Sequence, residues 1–333
     1  MFVPSLLLQR YLFCFSTFLF TFSQPTQPNI YIYLADDQNA WDYEINGNAN
    51  VKTTNYDRLV KEGMSFSNAY TSQAICAPSR SQLFTGLYPM RNGCLANHLA
   101  VKKVKDINDY FEDLGYEVIL AGKGHIKPST VFNWTRFYET LDDRSIPLKK
   151  VEEYIQKTSK PYCLIFSSDF PHGPHPKQNN YSNKPNDFDP SSKLPLKKIG
   201  KYKGGYYQNI ETDNEQLGLV IGMLEKMSLL NKGIFIYMSD HGMKGKFTVN
   251  EVGLKIPLVV RWPNKIEPYS TSEQLVSMVD ILPTLIESVG GKILDDIDGL
   301  SFSSLLLGKD KQIRKYIFGV STRQNIQACY IFP

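Results

Sequence analysis

Five short runs of the chain are apolar almost without interruption: NIYIYLA (29–35), YEVILAG (116–122), PYCLIFSS (161–168), GIFIYMS (233–239) and IPLVVRW (256–262). A strand that does not alternate polar with apolar residues has both faces covered, and runs this short and rich in Ile, Val, Tyr and Phe favour strand over helix. Amphipathic stretches with helix punctuation lie between them. TTNYDRLVKEG starts at a threonine cap and stops at Gly63, and DINDYFEDLG starts at Asp106 and stops at Gly115. NEQLGLVIGMLEKMSLL (214–230) and SMVDILPTLIESVGG (277–291) are two more. Strands alternating with helices predict an α/β fold, with a mostly parallel central sheet and helices on both faces. Residues 171–205, rich in Pro, Asn, Lys and Gly, lack periodicity and read as a long loop of the kind that serves a site.

The 333 residues suffice for one large domain, and a formal charge of +4 neither demands nor excludes a polyanionic partner; no feature calls for nucleic acid. The N-terminus differs from the rest. Arg10 precedes the apolar run YLFCFSTFLFTFS (11–23), followed by polar QPTQPN. That run is short for a bilayer span and suits a secretory signal, with Thr21 and Ser23 as small residues for cleavage after Ser23; a membrane anchor is the alternative. No later segment reads as a stable membrane span. The expected organisation is a signal peptide over 1–23, a catalytic domain over 24–320 and the start of a further C-terminal region over 321–333. The sequons at Asn133 and Asn180 agree with a secretory route, lysosomal or secreted. Cleavage removes Cys14 and leaves Cys76, Cys94, Cys163 and Cys329, too few for a disulfide scaffold. Cys163, inside YCLIF, reads as a buried, inert thiol.

The chemistry collects where strands end. Asp36 and Asp37 follow the first run, Lys123 and His125 the second, Asp169 and His172 the third, and Asp240 and His241 the fourth. In open α/β sheets, sites form outside the carboxyl ends of the strands. Each acid taken singly is as well explained by a helix cap; four such clusters together are not. Asp36, Asp37 and Asp240 packed in one crevice would repel one another unless a cation lay between them. An oxygen-rich set of this kind suits one hard divalent ion, Ca²⁺ ahead of Mg²⁺, with His241 a less usual neighbour for it. Arg80, Lys123, His125, His172 and Lys246 form a basic group suited to an anion. A metal opposed by basic groups points to transfer or hydrolysis of a phosphate or sulfate ester.

Cys76 opens a helix-like segment, PSRSQLFTG, with Pro78 near its first turn and Gly86 closing it. A cysteine at such a position serves as a low-pKa thiolate nucleophile or as a plain buried thiol. The pattern Cys-x-Pro-x-Arg followed by Thr85-Gly86 is, however, the signature of the sulfatases. The chain resembles that family over nearly its whole length after the leader: LADDQ, CAPSRSQLFTGLYP, GKGH, PHGPH, SDHG and GKFTVNEVGLKIPLVVRWP recur in the family's order. The resemblance implies an alkaline-phosphatase-like sulfatase fold and oxidation of Cys76 to formylglycine by a formylglycine-generating enzyme. It matches Asp36, Asp37, Asp240 and His241, with the modified Cys76, to the ligands of one divalent ion, usually calcium. Arg80 matches the arginine that holds the aldehyde hydrate. Lys123 and Lys246 match the lysines that grip sulfate oxygens, His125 the base that helps expel sulfate, and His172 the histidine beside the leaving group. The hydrate's hydroxyl attacks in line and its partner hydroxyl allows collapse to the aldehyde, a release that serine or thiol lacks.

Within the family, GLYPMRNGC with His98, and GKGHIKPSTVFNWTRF, look most like the N-sulfoglucosamine sulfohydrolases, which act on heparan sulfate. Aryl- and other glycan O-sulfatases, and phosphonate or phosphate ester hydrolases of the same fold, share the core motifs and remain alternatives, with small sulfate esters as further substrates. Two departures stand out. Lys255 replaces a common arginine, and the sequence stops shortly after KYIFGV, where relatives continue into a small antiparallel subdomain. The expectation is therefore a C-terminal subdomain that is missing or truncated, and an inactive glycan-binding protein is the non-enzyme alternative. The lysine-rich stretch KLPLKKIGKYK (193–203) reads as a solvated loop or as a contact for an anionic glycan.

Overall fold

A computed structural model describes residues 27–177, 203–292, 295–309, 312–322 and 328–331. The leader, the Asn180 sequon and most of the lysine-rich stretch lie outside the described residues. In chain order the strands are β1 (Asn29–Asp36), β2 (Met64–Phe66), β3 (Ala69–Tyr70), β4 (Glu117–Gly122), β5 (Arg136–Tyr138), β6 (Tyr162–Pro171), β7 (Gly233–Ser239), β8 (Leu258–Arg261), β9 (Ser270–Ser272), β10 (Val276–Ser277), β11 (Phe318–Ser321) and β12 (Ala328–Ile331). The α-helices are α1 (Thr54–Glu62), α2 (Cys76–Thr85), α3 (Pro89–Asn92), α4 (Ile107–Glu112), α5 (Leu148–Ile155), α6 (Lys203–Lys226), α7 (Glu251–Leu254), α8 (Ile281–Ser288) and α9 (Ser303–Leu306).

The main sheet has eight strands in the order β5-β4-β6-β1-β7-β8-β2-β9. From β5 to β7 every neighbour is parallel, while β8 runs antiparallel to both β7 and β2. All five apolar runs are strands of this sheet, and the mostly parallel architecture is as expected. Continuous apolarity resolves into two faces at a period of two. Ile30, Ile32 and Leu34 of β1 join one core with Leu83 and Phe84 of α2, Phe111 of α4 and Leu282 of α8. Tyr31, Tyr33 and Ala35 join the other with Leu59 of α1, Val151 of α5 and Leu217 of α6. Helices cover both faces, which is why no position in β1 from Ile30 onward is polar until Asp36.

Local signals read from sequence hold in places and fail in others. Asp106 accepts from the backbone N–H groups of Asn108 and Asp109 and completes a capping box. Helix α6, by contrast, begins at Lys203, eleven residues before the expected Asn214. Its first turns carry Gly204, Gly205, Tyr206, Tyr207, Gln208 and Asn209, so they lack the apolar stripe that marks its later part. The helical pattern expected over 277–291 splits into a single 3₁₀ turn at Met278–Asp280 and then α8. The short strands β2, β3, β5, β9 and β10 carry too few residues to show a period. Among the described residues no helix is long and apolar enough to cross a membrane.

Where α6 crosses under β1 and β7, it buries an acid. Tyr33 donates its hydroxyl to Asp213 Oδ1 at 2.8 Å, and the Tyr237 hydroxyl lies 3.4 Å from Oδ2. The Tyr43 and Tyr237 hydroxyls are 3.0 Å apart. Burial, only partly offset by these hydrogen bonds, pushes the Asp213 pKa up to about 7. An unfolded aspartate ionises near pH 4, so folding takes up a proton at every pH between that value and the folded one, and stability is lost as pH rises through the window. Asp213→Asn keeps the acceptor without the charge. Its melting temperature should be flatter than the wild type's from about pH 5 to about pH 8 and higher at the upper end, as thermal denaturation across that range will read.

Candidate active site

The carboxyl ends of β1, β4, β6 and β7 lie side by side, because β4-β6-β1-β7 are consecutive parallel strands. The residues just beyond each strand therefore converge. Asp36 closes β1, and Asp37 turns away with φ 68°, a left-handed conformation that aspartate adopts more readily than most residues. Asp240 and His241 follow β7 directly, and the Asp240 N–H bonds back to Ala35 O at 3.0 Å. Gly122, the last residue of β4, has φ 106°, and a Cβ there would stand 2.0 Å from Ser167 O, so only glycine lets Lys123 enter the crevice at this point. His172 comes immediately after β6.

The segment headed by Cys76 forms α2, whose ten residues are all buried. Cys76 is its first residue, Pro78 sits in the first turn where its missing N–H costs nothing, and Gly86 ends it in a left-handed cap. Burying a polar helix needs partners, and the active centre supplies them. Ser79 Oγ donates to Asp240 O at 2.5 Å. Arg80, with no exposed surface, donates from Nε to Asp240 Oδ2 at 3.2 Å and from Nη1 to Ser167 Oγ at 2.6 Å and Lys123 O at 3.1 Å; its Nη2 faces Asp36 Oδ1 at 3.4 Å.

Two lysines complete the charge balance. Lys123 Nζ pairs with Asp36 Oδ2 and, at 3.0 Å, with Asp169 Oδ1. Lys246 Nζ lies 2.9 Å from both oxygens of Asp37 and 3.4 Å from Cys76 Sγ. His241 Nε2 stands 3.1 Å from Asp37 Oδ1, and the half-buried His172 has its Nε2 3.8 Å from Asp37 Oδ2. Burial alone would raise the Asp36 carboxyl, but Lys123 and Arg80 hold it well below the usual carboxylate range. Asp240 goes the other way, up to about 6, through burial and the neighbouring Asp36 charge. Burial and the three carboxylates push the Cys76 thiol well above its ordinary value. That is the opposite of the low-pKa thiolate left open by the sequence. Burial, with Arg80 and Lys123 nearby, lowers His125 to about 4, and its ring lies 6.0 Å from that of His98.

Asp36, Asp37 and Asp240 bring one oxygen each to within 4.8 Å of one another, and Asp37, Cys76 and His241 form a second such group. Asp36 Oδ1 and His241 Nε2 are buried without a hydrogen-bond partner among the described residues. Three buried carboxylates, one with an oxygen that faces Arg80 but accepts no hydrogen bond, suit a hard divalent cation. All ten residues singled out from the sequence line this one crevice or its rim: the contacts above tie in nine, and His125 follows Lys123 by two positions.

Several supports escaped sequence reasoning. Arg144, at φ 69°, donates from Nε to Asp169 Oδ2 at 2.7 Å and from Nη2 to the carbonyls of Asp169 at 2.5 Å and His172 at 2.7 Å. Its guanidinium also lies 4.3 Å from the Phe170 ring centre. Asn209 Nδ2 donates to His172 O at 3.1 Å, and the Tyr206 hydroxyl to Asp37 O at 3.1 Å. The last two belong to the first turns of α6, the part that carries no periodic signal. Cys94 and Cys163 are free, buried thiols, as expected for Cys163.

Residues 28–291 match the sulfatase family. The chain belongs to that family. An ulvan-active sulfatase of Formosa agariphila is 46% identical, over 92% of this chain and 63% of its own length. An N-acetylglucosamine-6-sulfatase of Capra hircus is 26% identical, over 85% and 64%. The chain thus spans a little under two thirds of these relatives. A solved protein in complex with its substrate D-glucosamine-2-N,6-O-disulfate superposes with a TM-score of 0.77 at 18% identity, covering 92% of this chain and 87% of that one. A phosphonate monoester hydrolase of Agrobacterium radiobacter gives 0.74 at 18%, covering 90% and 82%. The expected alkaline-phosphatase-like sulfatase fold is thereby met.

Arg144 ties the rim that carries His172 to the sheet through three hydrogen bonds from one planar group. Charge-assisted bonds of this kind contribute roughly 1.5–3 kcal/mol each. Arg144→Ala should lower the melting temperature and speed hydrogen exchange selectively over residues 169–175. Arg144→Lys should recover little, since an ammonium reproduces one contact of the fork.

Proposed function

We propose that the protein is a formylglycine-dependent sulfatase that releases sulfate from a sulfated polysaccharide, with an algal polysaccharide of the ulvan type as the first substrate to test. The observation that carries this reading is the seating of Cys76 at the buried head of α2, within 3.9 Å of Asp37 and 3.4 Å of Lys246, among the ligand-like carboxylates. The 46% identical relative is named for ulvan. The N-sulfoglucosamine reading rests on GLYPMRNGC and GKGHIKPSTVF, and it stands as the second substrate of the panel. A phosphonate ester is the third, favoured by the fold shared with the Agrobacterium hydrolase.

Asp36, Asp37, Asp240, His241 and the modified Cys76 would hold one Ca²⁺. That ion and a hydrated aldehyde at Cys76 supply, when present, the polarisation and the hydroxyl nucleophile. Arg80 fixes Asp36 and Asp240 from behind and keeps both carboxylates aimed into the crevice. Three carboxylates against Arg80, Lys123 and Lys246 are close to neutral as they stand, so a divalent ion leaves an excess of positive charge that an ester anion balances. Lys123 and Lys246 grip the sulfate oxygens, releasing Asp36 and Asp37. His125, held neutral near pH 7, serves as a proton acceptor. His172, at the half-exposed rim, faces the leaving group. The leader expected over 1–23 and the exposed Asn133 sequon support a secretory route, where the modifying enzyme is met.

Expression in a host with a formylglycine-generating enzyme should yield a Cys76 peptide that forms a hydrazone, with turnover abolished in Cys76→Ala and by calcium chelation. Paired aryl sulfate and aryl phosphonate rates separate the ester classes. Active protein with an unmodified thiol at position 76, or a preference for the phosphonate, overturns the reading.

Donation to the leaving group matters most when that group is poor. His172→Ala should therefore slow release from a sugar sulfate by about a hundredfold or more and from an activated aryl sulfate far less. Equal losses on both would remove His172 from that role.

A further inference from the structure

Lys123 and His125 also line a cavity of about 440 Å³, walled further by Trp134, Phe137, Glu139 and Thr140. Cavities of this size commonly take small ligands. Its wall is built rather than incidental. Trp134 stacks on Phe132 at 5.8 Å with planes 15° apart, and meets Phe84 of α2 edge-on at 5.2 Å. The aromatic wall is therefore braced against the nucleophile helix itself. Phe137 lies on the edge strand β5, paired through Leu120 of β4, yet it is 42% exposed. A Cβ on Gly124 would lie 3.0 Å from Phe137 Cζ, so the glycine between Lys123 and His125 is what lets this ring pack beside them.

We infer that this cavity is the subsite for the pyranose ring that carries the sulfate, with the ring's apolar face on Phe137 and its hydroxyls toward Glu139 and Thr140. The inference rests on the proposed glycan sulfatase activity. A sugar ring has two apolar C–H faces and a rim of hydroxyls, which is the chemistry of an exposed aromatic ring beside a carboxylate and a hydroxyl. The two shared residues point to the occupant. Lys123 and His125 line the cavity, and Lys123 also reaches Asp36, so a sulfate held there places its own sugar in this space. Glu139 is exposed at the cavity wall and repels a second anionic substituent, so the ring is neutral rather than a uronate.

The test uses the full chain with ulvan-derived oligosaccharides and their chemically desulfated forms. Phe137→Ala should raise KM for the sulfated oligosaccharide about tenfold with kcat within about twofold, and weaken binding of the desulfated one by a similar factor. Phe137→Tyr should restore both. Inhibition by inorganic sulfate, which reads the anion site alone, should not change in either variant. Glu139→Gln should admit oligosaccharides bearing a uronate at that ring. Unchanged KM and binding in Phe137→Ala, or a parallel change in sulfate inhibition, overturns the subsite, and wild-type preference for the uronate overturns its neutrality. If the wild type binds the desulfated oligosaccharide through Phe137 but releases no sulfate, the subsite stands and the proposed activity falls.

Discussion

Arg80 is the residue on which the site depends. Its guanidinium has no exposed surface and joins Asp36 at the end of β1, Asp240 just past β7, Ser167 within β6 and the Lys123 carbonyl just past β4. One planar group thus stitches four strands to α2, the helix that presents Cys76. A buried charge is tolerated only when paired and hydrogen-bonded, and removing one partner of such a set costs about 3–5 kcal/mol. Lysine offers a point charge and could not satisfy four directions at once. The arginine of the Cys-x-Pro-x-Arg pattern is in this sense structural and chemical together.

Paired charge also explains why three acids can crowd the end of a sheet. Each carboxylate has a basic neighbour, Lys123 and Arg80 for Asp36, Lys246 for Asp37 and Arg80 for Asp240, and Lys123 also serves Asp169. The opposed pKa directions of Asp36 and Asp240 follow from how unequally those neighbours are shared. The two lysines differ from Arg80 in having long, partly exposed stems, so they can leave a carboxylate for an incoming anion while Arg80 cannot. Fixed charge behind and mobile charge in front is the arrangement that a cation-assisted attack on an anionic ester requires.

Much of this was legible in the sequence because parallel sheets announce themselves. A run such as NIYIYLA, apolar on both faces, favours an interior strand, and where four such strands lie parallel and side by side their C-terminal residues meet. Asp36, Asp37, Lys123, His172, Asp240 and His241 were therefore readable as one cluster from position alone. The hidden parts lack a period or a motif. Arg144 acts through carbonyls, and backbone acceptors leave no trace in a sequence. Tyr206 and Asn209 sit in helical turns whose glycines and polar residues resemble a loop. Strand β5 shows three residues, Arg136–Tyr138, too few for any alternation to register. The upward push on the Cys76 thiol was hidden too, since the carboxylates around it come from segments distant in the chain.

Residues that would set the chemistry and residues that would choose the sugar come from different parts of the fold. Asp36, Asp37, Lys123, Asp240 and His241 hang from interior strands, where each backbone position is fixed by two neighbouring strands and two packed faces. Trp134, Phe137 and Glu139 belong to the edge strand β5 and the segments around it, held from one side only. An edge can change its side chains, or lengthen its loops, without moving β1 or β7. Proteins only 18% identical to this chain, one in complex with a glucosamine disulfate and one a phosphonate hydrolase, keep the fold at TM-scores of 0.77 and 0.74. The interior strand ends are the more constrained half of the crevice, and the β5 side, at the sheet edge, the less constrained half. On the proposed reading, discrimination among esters that share one anionic head group would then fall to the β5 side, where the aromatic wall stands against the helix that carries Cys76.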